Sequence, residues 1–370
     1  MNRDRLSELK PSKTIDCLII GQGLSGSILA WLLEQQGQRV LIVDRAGDRS
    51  ASRIAAGIVN PVAGQRLVKH PRVETCLATA RALYSTLGDT FQQPFYFERP
   101  MVRLFQSDQE RTIWAARNND PCYRPYLGEH FDDHAAWPAP ANRHGGFYQK
   151  ECGWLDAPRF LDAMRTHFES KQQLVESDFS WNELSTKKNS MLWNGRPVGR
   201  IIACEGFAAG QNPYFSWLPF QFSKGQILTL KADRDLPDRL VNHGKWLLPL
   251  STCLFKCGAT YEWKNLDRQP STAAAKLLDS AARALLPHNT RFRMLAHEAG
   301  IRPGSLDKNP FAGLHPTHGR IGIFNGFGSK GVLTIPYYAE CFVEHLLQGA
   351  NLPKEIDIAR SLAQFRKIRA

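Results

Sequence analysis

The segment from Asp16 to Ala46, DCLIIGQGLSGSILAWLLEQQGQRVLIVDRA, constrains the fold of this chain more than any other stretch. A short apolar run precedes three glycines at G-x-G-x-x-G spacing. Apolar residues at helical spacing follow, and a second apolar run ends at Asp44. This order predicts a buried strand, a tight turn, a helix and a second strand. The segment therefore predicts a βαβ unit at the start of an α/β domain.

The three glycines of this unit have separate physical roles. Gly21 permits the tight turn, Gly23 lets the backbone approach a pyrophosphate, and Gly26 lets the helix pack on the strand. The helix N-terminus favours phosphate through its N–H groups and its positive dipole end. Asp44 ends the second strand, where a carboxylate accepts hydrogen bonds from a ribose. The unit predicts a dinucleotide, and by itself it leaves NAD(P) and FAD both open.

The bulk composition bounds the class of protein. The chain has 370 residues, of which 43% are hydrophobic, and a formal net charge of +12. Its length suits one large or two interleaved domains. No apolar run approaches the ~20 residues that cross a bilayer, and the opening segment MNRDRLSELKPSK has no secretory h-region, so we expect a soluble cytoplasmic protein. Lys and Arg are spread along the chain without a dense basic run, so nucleic-acid binding is a minor alternative.

The 8 cysteines are scattered, mostly among apolar neighbours, as in a reduced intracellular protein. Cys253 and Cys257 form the only close pair, and no second Cys/His pair follows them to complete a metal site. We therefore predict no metal ion.

Four segments of the chain, spread in order from about residue 14 to 345, carry a family resemblance. They are IIGQGLSGSILAWLLEQQGQRVLIVDR, SRIAAGIVNPVAG, KGQILTL with GATYE, and GIRPGSLDKNPFAGLHP followed by GIFNGFGSKGVLTIPYYAE. Together they resemble the D-amino acid oxidase and glycine oxidase superfamily of FAD-dependent oxidoreductases. The resemblance implies that the dinucleotide is FAD. It also implies an α/β fold (α+β overall), in which a Rossmann-type FAD-binding domain carries an inserted antiparallel-sheet substrate domain.

The distribution of these motifs predicts discontinuous domains. Residues 1–90, 150–218 and 300–370 are expected to form the FAD-binding domain, and residues 91–149 and 219–299 the substrate-binding domain. Aromatic and β-branched runs such as PFYFERPMVRLF predict an antiparallel sheet in the second domain. Residues 101–144 carry no motif of the family, and we expect substrate identity to depend on them.

The resemblance also implies FAD contacts. The small-residue segment after the second strand keeps few side chains between a ligand and its backbone, and in the family it lies along the flavin ring. The turn NGFGSKGV resembles the family's last glycine-rich turn, whose N–H groups point at the flavin's pyrimidine edge. The expected FAD contacts are Gly21, Gly23, Leu24, Ser25, Gly26, Asp44, Arg45, Ser52, Arg53, Ala55, Ala56, Gly57, Cys204, Gly206, Gly328, Ser329, Lys330, Gly331 and Val332.

One residue departs from the family pattern. The run RIIACEGFAA resembles the strand that ends beside the ADP moiety, but Glu205 stands where a small or hydroxyl residue is usual. This departure leaves the contact made by Cys204 to Gly206 open.

Arg302 is the main candidate for binding the substrate, because in the family an arginine at its position forms the fork that holds a carboxylate. A planar guanidinium matches a carboxylate with two parallel hydrogen bonds. Pro303 limits the backbone, and Gly304 is expected to let it turn. The alternative is a structural ion pair with Asp307 or Glu298. We expect Asp307 to brace the turn.

Two further residues complete the expected catalytic set of Arg302, Tyr261 and Lys330. Tyr261 is expected on a strand of the substrate domain. It either covers the open face of the flavin or touches the carboxylate, or else it is an ordinary sheet aromatic. Lys330 either reinforces charge stabilisation at the flavin or is an exposed cation.

The resemblance implies an enzyme that oxidises the C–N bond of a small amino acid or amine, with hydride passing to flavin N5 and the imine hydrolysed in water. Dioxygen is the expected electron acceptor, and a dehydrogenase that uses a quinone or protein acceptor is an alternative. A second alternative is an enzyme like the tRNA-modifying 5-aminomethyl-2-thiouridine oxidases, which share the Gly-Ser-basic-Gly turn and normally act with a methyltransferase partner. A third is a flavin-binding protein without turnover.

Overall fold

The computed structural model describes residues 14–45, 50–132, 136–187 and 190–369. The chain forms two compact units. Unit 1 comprises Met1–Arg53, Ala157–Ser223 and Ile301–Ala370, and unit 2 comprises Ile54–Asp156 and Lys224–Gly300. The sequence-based division differs mainly at residues 54–90, which lie in unit 2. The ligand assigned to each domain stays a prediction, and the opening segment expected to lack a secretory signal lies outside the described residues.

The helices and strands are numbered along the described chain. The helices are α1 (Leu24–Gln35), α2 (Ala51–Ile54), α3 (Val73–Thr90), α4 (Asp108–Asn118), α5 (Ala157–Ser170), α6 (Thr272–Leu285), α7 (Gly331–Gln348) and α8 (Leu362–Arg369). The strands are β1 (Ile15–Ile20), β2 (Val40–Asp44), β3 (Ile58–Val59), β4 (Val62–Ala63), β5 (Val68–Lys69), β6 (Tyr96–Glu98), β7 (Met101–Leu104), β8 (Leu127–Phe131), β9 (Gly146–Gln149), β10 (Gly153–Leu155), β11 (Leu174–Glu176), β12 (Leu184–Lys187), β13 (Ser190–Trp193), β14 (Arg196–Ala203), β15 (Phe220–Ala232), β16 (Leu240–His243), β17 (Lys245–Pro249), β18 (Leu254–Gly258), β19 (Phe292–Ser305), β20 (Phe311–His315) and β21 (His318–Asn325).

The core of unit 1 is a parallel sheet. β1 pairs with β2 on one side and with β14 on the other, β11 extends the sheet beyond β2, and β21 runs parallel to β14. The carboxyl ends of these strands therefore share one edge. From β1 the chain adds β2 and then β11 on one side, and it later returns to add β14 on the other side of β1. The gap between β1 and β14 is therefore a topological switch point. Ligands of open α/β sheets bind at such points.

Apolar sequence explains why β1 lies at the centre of this sheet. Cys17, Leu18 and Ile19 are fully buried, as expected for a parallel strand covered on both faces. Helix α1 buries Ile28 and Leu29, and it contacts α5 and α7. The predicted βαβ unit is present.

Unit 2 contains a second, mostly antiparallel sheet, in which the strand order is β19-β15-β18-β17-β16-β7-β9-β8. In this sheet β16 pairs with β7 in parallel, whereas the pairings β15–β18, β17–β18, β16–β17, β7–β9 and β8–β9 are antiparallel. Helix α6 begins after Ser271, whose hydroxyl accepts a hydrogen bond from the Ala274 N–H, and it buries Leu278 and Ala282. The α/β fold class with a second antiparallel sheet is confirmed. The chain passes between the units within the continuous strands β15 and β19.

No helix in the described ranges is long and apolar enough to span a membrane.

Candidate cofactor and substrate site

The first glycine turn requires glycine at two of its three positions. Gly21 has a φ of +101°, and a Cβ there would lie 2.6 Å from the Cys204 carbonyl oxygen. A Cβ on Gly26 would lie 1.9 Å from the Gly21 oxygen. Any side chain at either position would therefore force the backbone apart, as the predicted roles of these glycines require. At Gly23 the nearest atom to a Cβ is the Ser52 hydroxyl, at 3.3 Å.

The N-terminus of α1 is suited to an anion. Gly23 is its N-cap residue and supplies no side-chain cap, and the first turn has no acidic residue. The Ser52 hydroxyl accepts a hydrogen bond from the Leu24 N–H at 3.1 Å. Ser52 therefore lies beside the turn, as its expected role in the cofactor site requires. The positive end of the helix dipole is left to favour negative charge at this edge of the sheet.

Asp44 lies at the carboxyl end of β2, next to the same turn. One of its carboxylate oxygens accepts a hydrogen bond from the Gln22 N–H at 2.8 Å, and the other lies 3.9 Å from an Arg165 guanidinium nitrogen. The Gln22 bond orients the carboxylate at the end of the strand. The neighbouring Arg45 is exposed.

The segment expected to line the flavin is divided between the two units. In unit 1, the Arg53 guanidinium binds Asp162 of α5 at 2.6 Å. In unit 2, Gly57 has a φ of +71°, and its Cβ would lie 2.0 Å from the Leu155 oxygen of β10. Packing against β10 is therefore sufficient to require glycine at position 57. Ala56 beside it is buried, and Ala55 is partly exposed.

A buried polar network that the sequence did not reveal holds the next residues, 60–64. The Arg103 guanidinium donates hydrogen bonds to the carbonyls of Val62 and Gly64 and forms an ion pair with Glu110 at 2.9 Å. The Arg103 and Glu110 side chains are only 4% and 2% exposed. Gln149 donates to the Val62 carbonyl at 3.1 Å. In the sequence, Arg103 interrupts an apolar run, and this was the only available signal.

Glu205, the residue that departs from the family pattern, lies at the switch point. It follows Cys204, the first residue after β14, and its Cα would be 3.6 Å from a Cβ on Gly21. Its two carboxyl oxygens accept hydrogen bonds from Trp181 at 3.1 Å and Asn212 at 2.5 Å. Glu205 as a whole is half-buried, but its carboxyl has lost most of its contact with water, and this loss raises the pKa of Glu205. The hydrogen bonds from Asn212 and Trp181 act in the opposite direction and are the smaller effect. Burial also raises the pKa of the Cys204 thiol.

The last glycine turn is tied to the same edge. The Asn325 amide donates to the Gly206 carbonyl at 3.0 Å, and its oxygen accepts from the Gly326 N–H at 2.8 Å. Gly326 and Gly328 have φ values of +85° and +56°, which favour glycine. The ends of β14 and β21 are therefore joined directly.

Helix α7 begins immediately after this turn. Its N-cap is Lys330 and its first turn has no acidic residue. Val332 is buried and Ser329 is exposed. Lys330 as a whole is exposed, yet loss of water around its amino group and repulsion from Lys308 lower its pKa.

Arg302 lies within β19 and is half-buried. Contrary to expectation, the chain does not turn at Gly304, because β19 continues to Ser305. Glycine at this position instead permits close packing, since a Cβ would lie 2.9 Å from the Gln221 oxygen. Asp307 braces the following turn as predicted, because it accepts a hydrogen bond from the Asn309 N–H at 3.1 Å and pairs with Arg360 at 2.8 Å.

Tyr261 lies in unit 2, beyond the end of β18 and not within that strand. It is 52% exposed and stacks on Trp263, which is 57% exposed, with 6.2 Å between ring centroids. Trp263 was not among the expected site residues, although it follows Tyr261 at a spacing of two in TYEW.

The residues of unit 1 fit FAD. The two glycines at which a Cβ would collide, the acid-free N-terminus of α1 and the orienting of Asp44 together form a cradle for a pyrophosphate and a ribose. The first turn of α7 has no acidic residue, so the positive end of its helix dipole is a second place that favours negative charge, here on the flavin ring. Among the described residues, no group of three or more His, Cys, Asp or Glu side chains is arranged to hold a metal ion.

Comparisons with known proteins agree with this geometry. A family model described as an FAD-dependent oxidoreductase (DAO) matches residues 16–345. Glycine oxidase of Pseudomonas putida is 25% identical over 358 residues, covering 90% of this chain and 94% of that protein. The tRNA 5-methylaminomethyl-2-thiouridine biosynthesis bifunctional protein MnmC of Marinobacter nauticus is 24% identical over 90% of this chain, which covers 55% of that protein.

Among solved structures, glycine oxidase from Geobacillus kaustophilus has a TM-score of 0.74 at 20% identity, covering 94% of this chain and 97% of that one. This likeness shows the fold. The family match extends over most of the length and includes both glycine turns. The chain therefore belongs to the DAO family of FAD-dependent oxidoreductases, and its cofactor is FAD.

Proposed function

We propose that this enzyme oxidises the C–N bond of a small amino acid or secondary amine that carries a carboxylate. The observation that carries the proposal is the position of Arg302. It lies one residue from Pro303, whose carbonyl accepts a 2.7 Å hydrogen bond from Gly328 in the last glycine turn. This hydrogen bond fixes the backbone beside Arg302, whose guanidinium is planar and permanently charged, relative to the turn that carries the proposed flavin contacts. The similarity to glycine oxidases supports an amino acid as the substrate.

The protein groups bind and orient the substrate. The Arg302 guanidinium holds the carboxylate through two parallel hydrogen bonds, which fixes direction as well as affinity. Tyr261 is retained as a proposed second contact. When bound, FAD supplies a hydride acceptor at N5 and passes the electrons to dioxygen or another acceptor. Arg302 would hold the neutral amine so that its Cα–H is available to this acceptor, and the imine product would leave to be hydrolysed in water.

The helix N-terminus at Gly331, with Lys330 as its N-cap, stabilises negative charge that develops near it. Lys330 adds an amino group beside this helix end, and loss of water around that group, with repulsion from Lys308, lowers its pKa. We assign Lys330 this electrostatic role and no proton transfer.

The test is anaerobic reduction of the purified holoenzyme. Glycine, sarcosine, proline and a D-amino acid are mixed separately with the protein, and absorbance of the flavin band is followed. Bleaching by at least one carboxylated amine is expected, and the matching amine without a carboxylate should bleach it far more slowly. A flavin that no amine in the panel reduces would contradict the proposal. Stopped-flow mixing with air then separates an oxidase from a dehydrogenase.

A second candidate function is oxidation of a modified tRNA base. The net charge of +12 and the similarity to MnmC proteins favour it. Retention of tRNA by the purified protein, falling steeply between low and moderate salt, would support this candidate if the amine panel fails.

A further inference from the structure

Glu205 is a chemically unexpected residue at the switch point between β1 and β14. The sequence resemblance places a small or hydroxyl residue there, beside the ADP moiety. In the structure, the Glu205 Cα would be 3.6 Å from a Cβ on Gly21, the first residue of the phosphate-binding turn. An ionised carboxylate at this edge would oppose the pyrophosphate that the turn and the α1 dipole favour.

The Glu205 carboxyl is fixed in position by two hydrogen bonds. Trp181 and Asn212 each donate a hydrogen bond to one of its oxygens. Asn212 is itself fixed, because it is 2% exposed and its side-chain oxygen accepts from the Tyr214 and Phe215 N–H groups. Both donors to Glu205 are neutral, so neither cancels a negative charge on it.

We propose that Glu205 makes FAD binding depend on pH. When its carboxyl is neutral, the nucleotide half of FAD binds beside it, and when the carboxyl is ionised, its negative charge repels the phosphates of that half. Binding of FAD is then coupled to protonation of Glu205. The proposal concerns FAD alone and holds whichever amine the enzyme oxidises.

The surrounding groups allow the effect to be assigned to Glu205. The glycine turn from Gly21 to Gly26 and the 3₁₀ helix Gly206–Gln211 have no charged side chain. The 3₁₀ helix Trp181–Glu183 carries only the exposed Glu183. Among the described residues, the other titratable or charged groups are Asp44 at the end of β2, which also lies beside the glycine turn, the Arg165 guanidinium near it, and the Cys204 thiol, which burial keeps protonated. Tyr214 packs on Trp181 and is contacted by two imidazoles, His315 and His318.

The sign of the pH dependence follows from linkage. Loss of water around the carboxyl raises the pKa of Glu205 above the ordinary glutamate value of 4.5. Below that raised pKa the group is neutral, and FAD binds tightly. As the pH rises through it, FAD affinity falls, by about tenfold for one added negative charge near a phosphate.

The experiment measures release of FAD from the purified holoenzyme. The protein is diluted at a series of pH values from about 4.5 to about 8, which bracket ordinary glutamate and histidine pKa values, and the rise in flavin fluorescence gives the dissociation constant. Glu205→Gln is neutral at every pH. It should abolish most of the dependence and bind FAD about tenfold tighter than the wild type at the upper end. Glu183→Gln removes an equal charge from an exposed site nearby and should leave the wild-type profile.

A second variant keeps Glu205 itself. Trp181→Phe removes one donor to the carboxylate, which should raise the pKa of Glu205 further and shift the fall in affinity to higher pH. ADP, which lacks the flavin, should compete for the site with the same pH dependence. Glu205→Gln with an unchanged profile, or a Trp181→Phe profile that does not move, would overturn the proposal. Circular dichroism verifies that each variant is folded.

Discussion

The Gly328 N–H donates a hydrogen bond of 2.7 Å to the Pro303 carbonyl. This bond joins the strand that carries Arg302, the proposed carboxylate-binding residue, to the turn that precedes α7, which carries the proposed flavin contacts. The two sequence motifs that contain these residues are separated along the chain, and the hydrogen bond holds their backbones together.

Arg302→Lys should weaken carboxylated substrates while leaving FAD binding unchanged. Lysine keeps the charge but loses the planar pair of donors, and loss of one charge-assisted hydrogen bond costs about 1.5–3 kcal/mol. The KM should therefore rise roughly 10- to 100-fold. Steady-state kinetics with the best amine and flavin content of the purified protein measure the two effects. Arg293→Lys, at an exposed position of the same strand, is the matched control. Unchanged kinetics would remove Arg302 from the site.

Gly26→Ala should impair FAD binding and stability together. The added Cβ would lie 1.9 Å from the Gly21 oxygen, and neither backbone can move without opening the turn. Overpacking of this kind costs about 1–3 kcal/mol or more. Flavin occupancy and the Tm report the effect. Gly319→Ala is the control, because a Cβ there meets no atom within 4 Å. Full occupancy in Gly26→Ala would show that the turn is not the cofactor cradle.

Arg103→Met should destabilise the protein by about 3–5 kcal/mol, because it leaves the Glu110 carboxylate buried without its partner. The double change Arg103→Met/Glu110→Leu should be less damaging, since no unpaired charge remains. Urea unfolding measures both. In the exposed pair of Arg283 and Asp279, the corresponding Arg283→Met change should cost about 0.5 kcal/mol or less. A double variant no more stable than Arg103→Met would contradict this account of Glu110.

Asp307→Asn should remove a pH-dependent part of the stability. Burial alone would raise the pKa of Asp307, but hydrogen bonds from Arg360, Asn309 and Ser305 outweigh it and lower the pKa. Stability from a lowered pKa is fully present above the ordinary aspartate value of 3.8 and is lost as the pH falls through the folded-state value.

Wild type should therefore exceed Asp307→Asn by about 1 kcal/mol or less at neutral pH, because the pair is partly exposed, and the difference should vanish in strong acid. Urea unfolding at several pH values measures this difference. Arg360→Met should remove much of the same pH dependence. A difference between wild type and Asp307→Asn that is constant with pH would refute the linkage.

Lys330→Met should slow flavin reduction about tenfold, less than loss of a buried oxyanion donor, because the side chain is exposed. It should also lower the flavin midpoint potential, since a cation beside the reduced ring is lost. Anaerobic stopped-flow and a redox titration measure the two quantities. Lys308→Met removes the neighbouring cation and is the control. If both variants behave as wild type, Lys330 is an ordinary surface cation.

The sequence predicted those features that depend on local pattern. The tight turn predicted at Gly21 and Gly26 is present, because a Cβ at either position would collide with backbone, and their contact with FAD stays a prediction. Asp44 at the end of β2 followed from the strand's apolar run. The family resemblance, now confirmed by the family match, carried the remainder of the fold.

Features that depend on distant partners could not be predicted. Gly304 was expected to turn the chain. Glycine is needed there instead because a Cβ would lie too close to the Gln221 carbonyl oxygen of β15. The Arg103 guanidinium, paired with Glu110, binds the backbone carbonyls of Val62 and Gly64, which lie about 40 residues earlier in the sequence. No local sequence pattern indicates this contact. Tyr261 was expected on a strand, whereas β18 ends at Gly258.

The position of β1 has a consequence for biosynthesis. β1 is synthesised well before its partner strand, because Ile15 pairs with Val198 of β14, and β14 in turn pairs with β21. The sheet cannot close until β14 and β21 have been synthesised, so β1, α1 and β2 remain until then an apolar βαβ fragment in which β1 has no neighbour on its β14 side. We expect the nascent protein to depend on chaperones, and overproduction at high temperature to yield inclusion bodies.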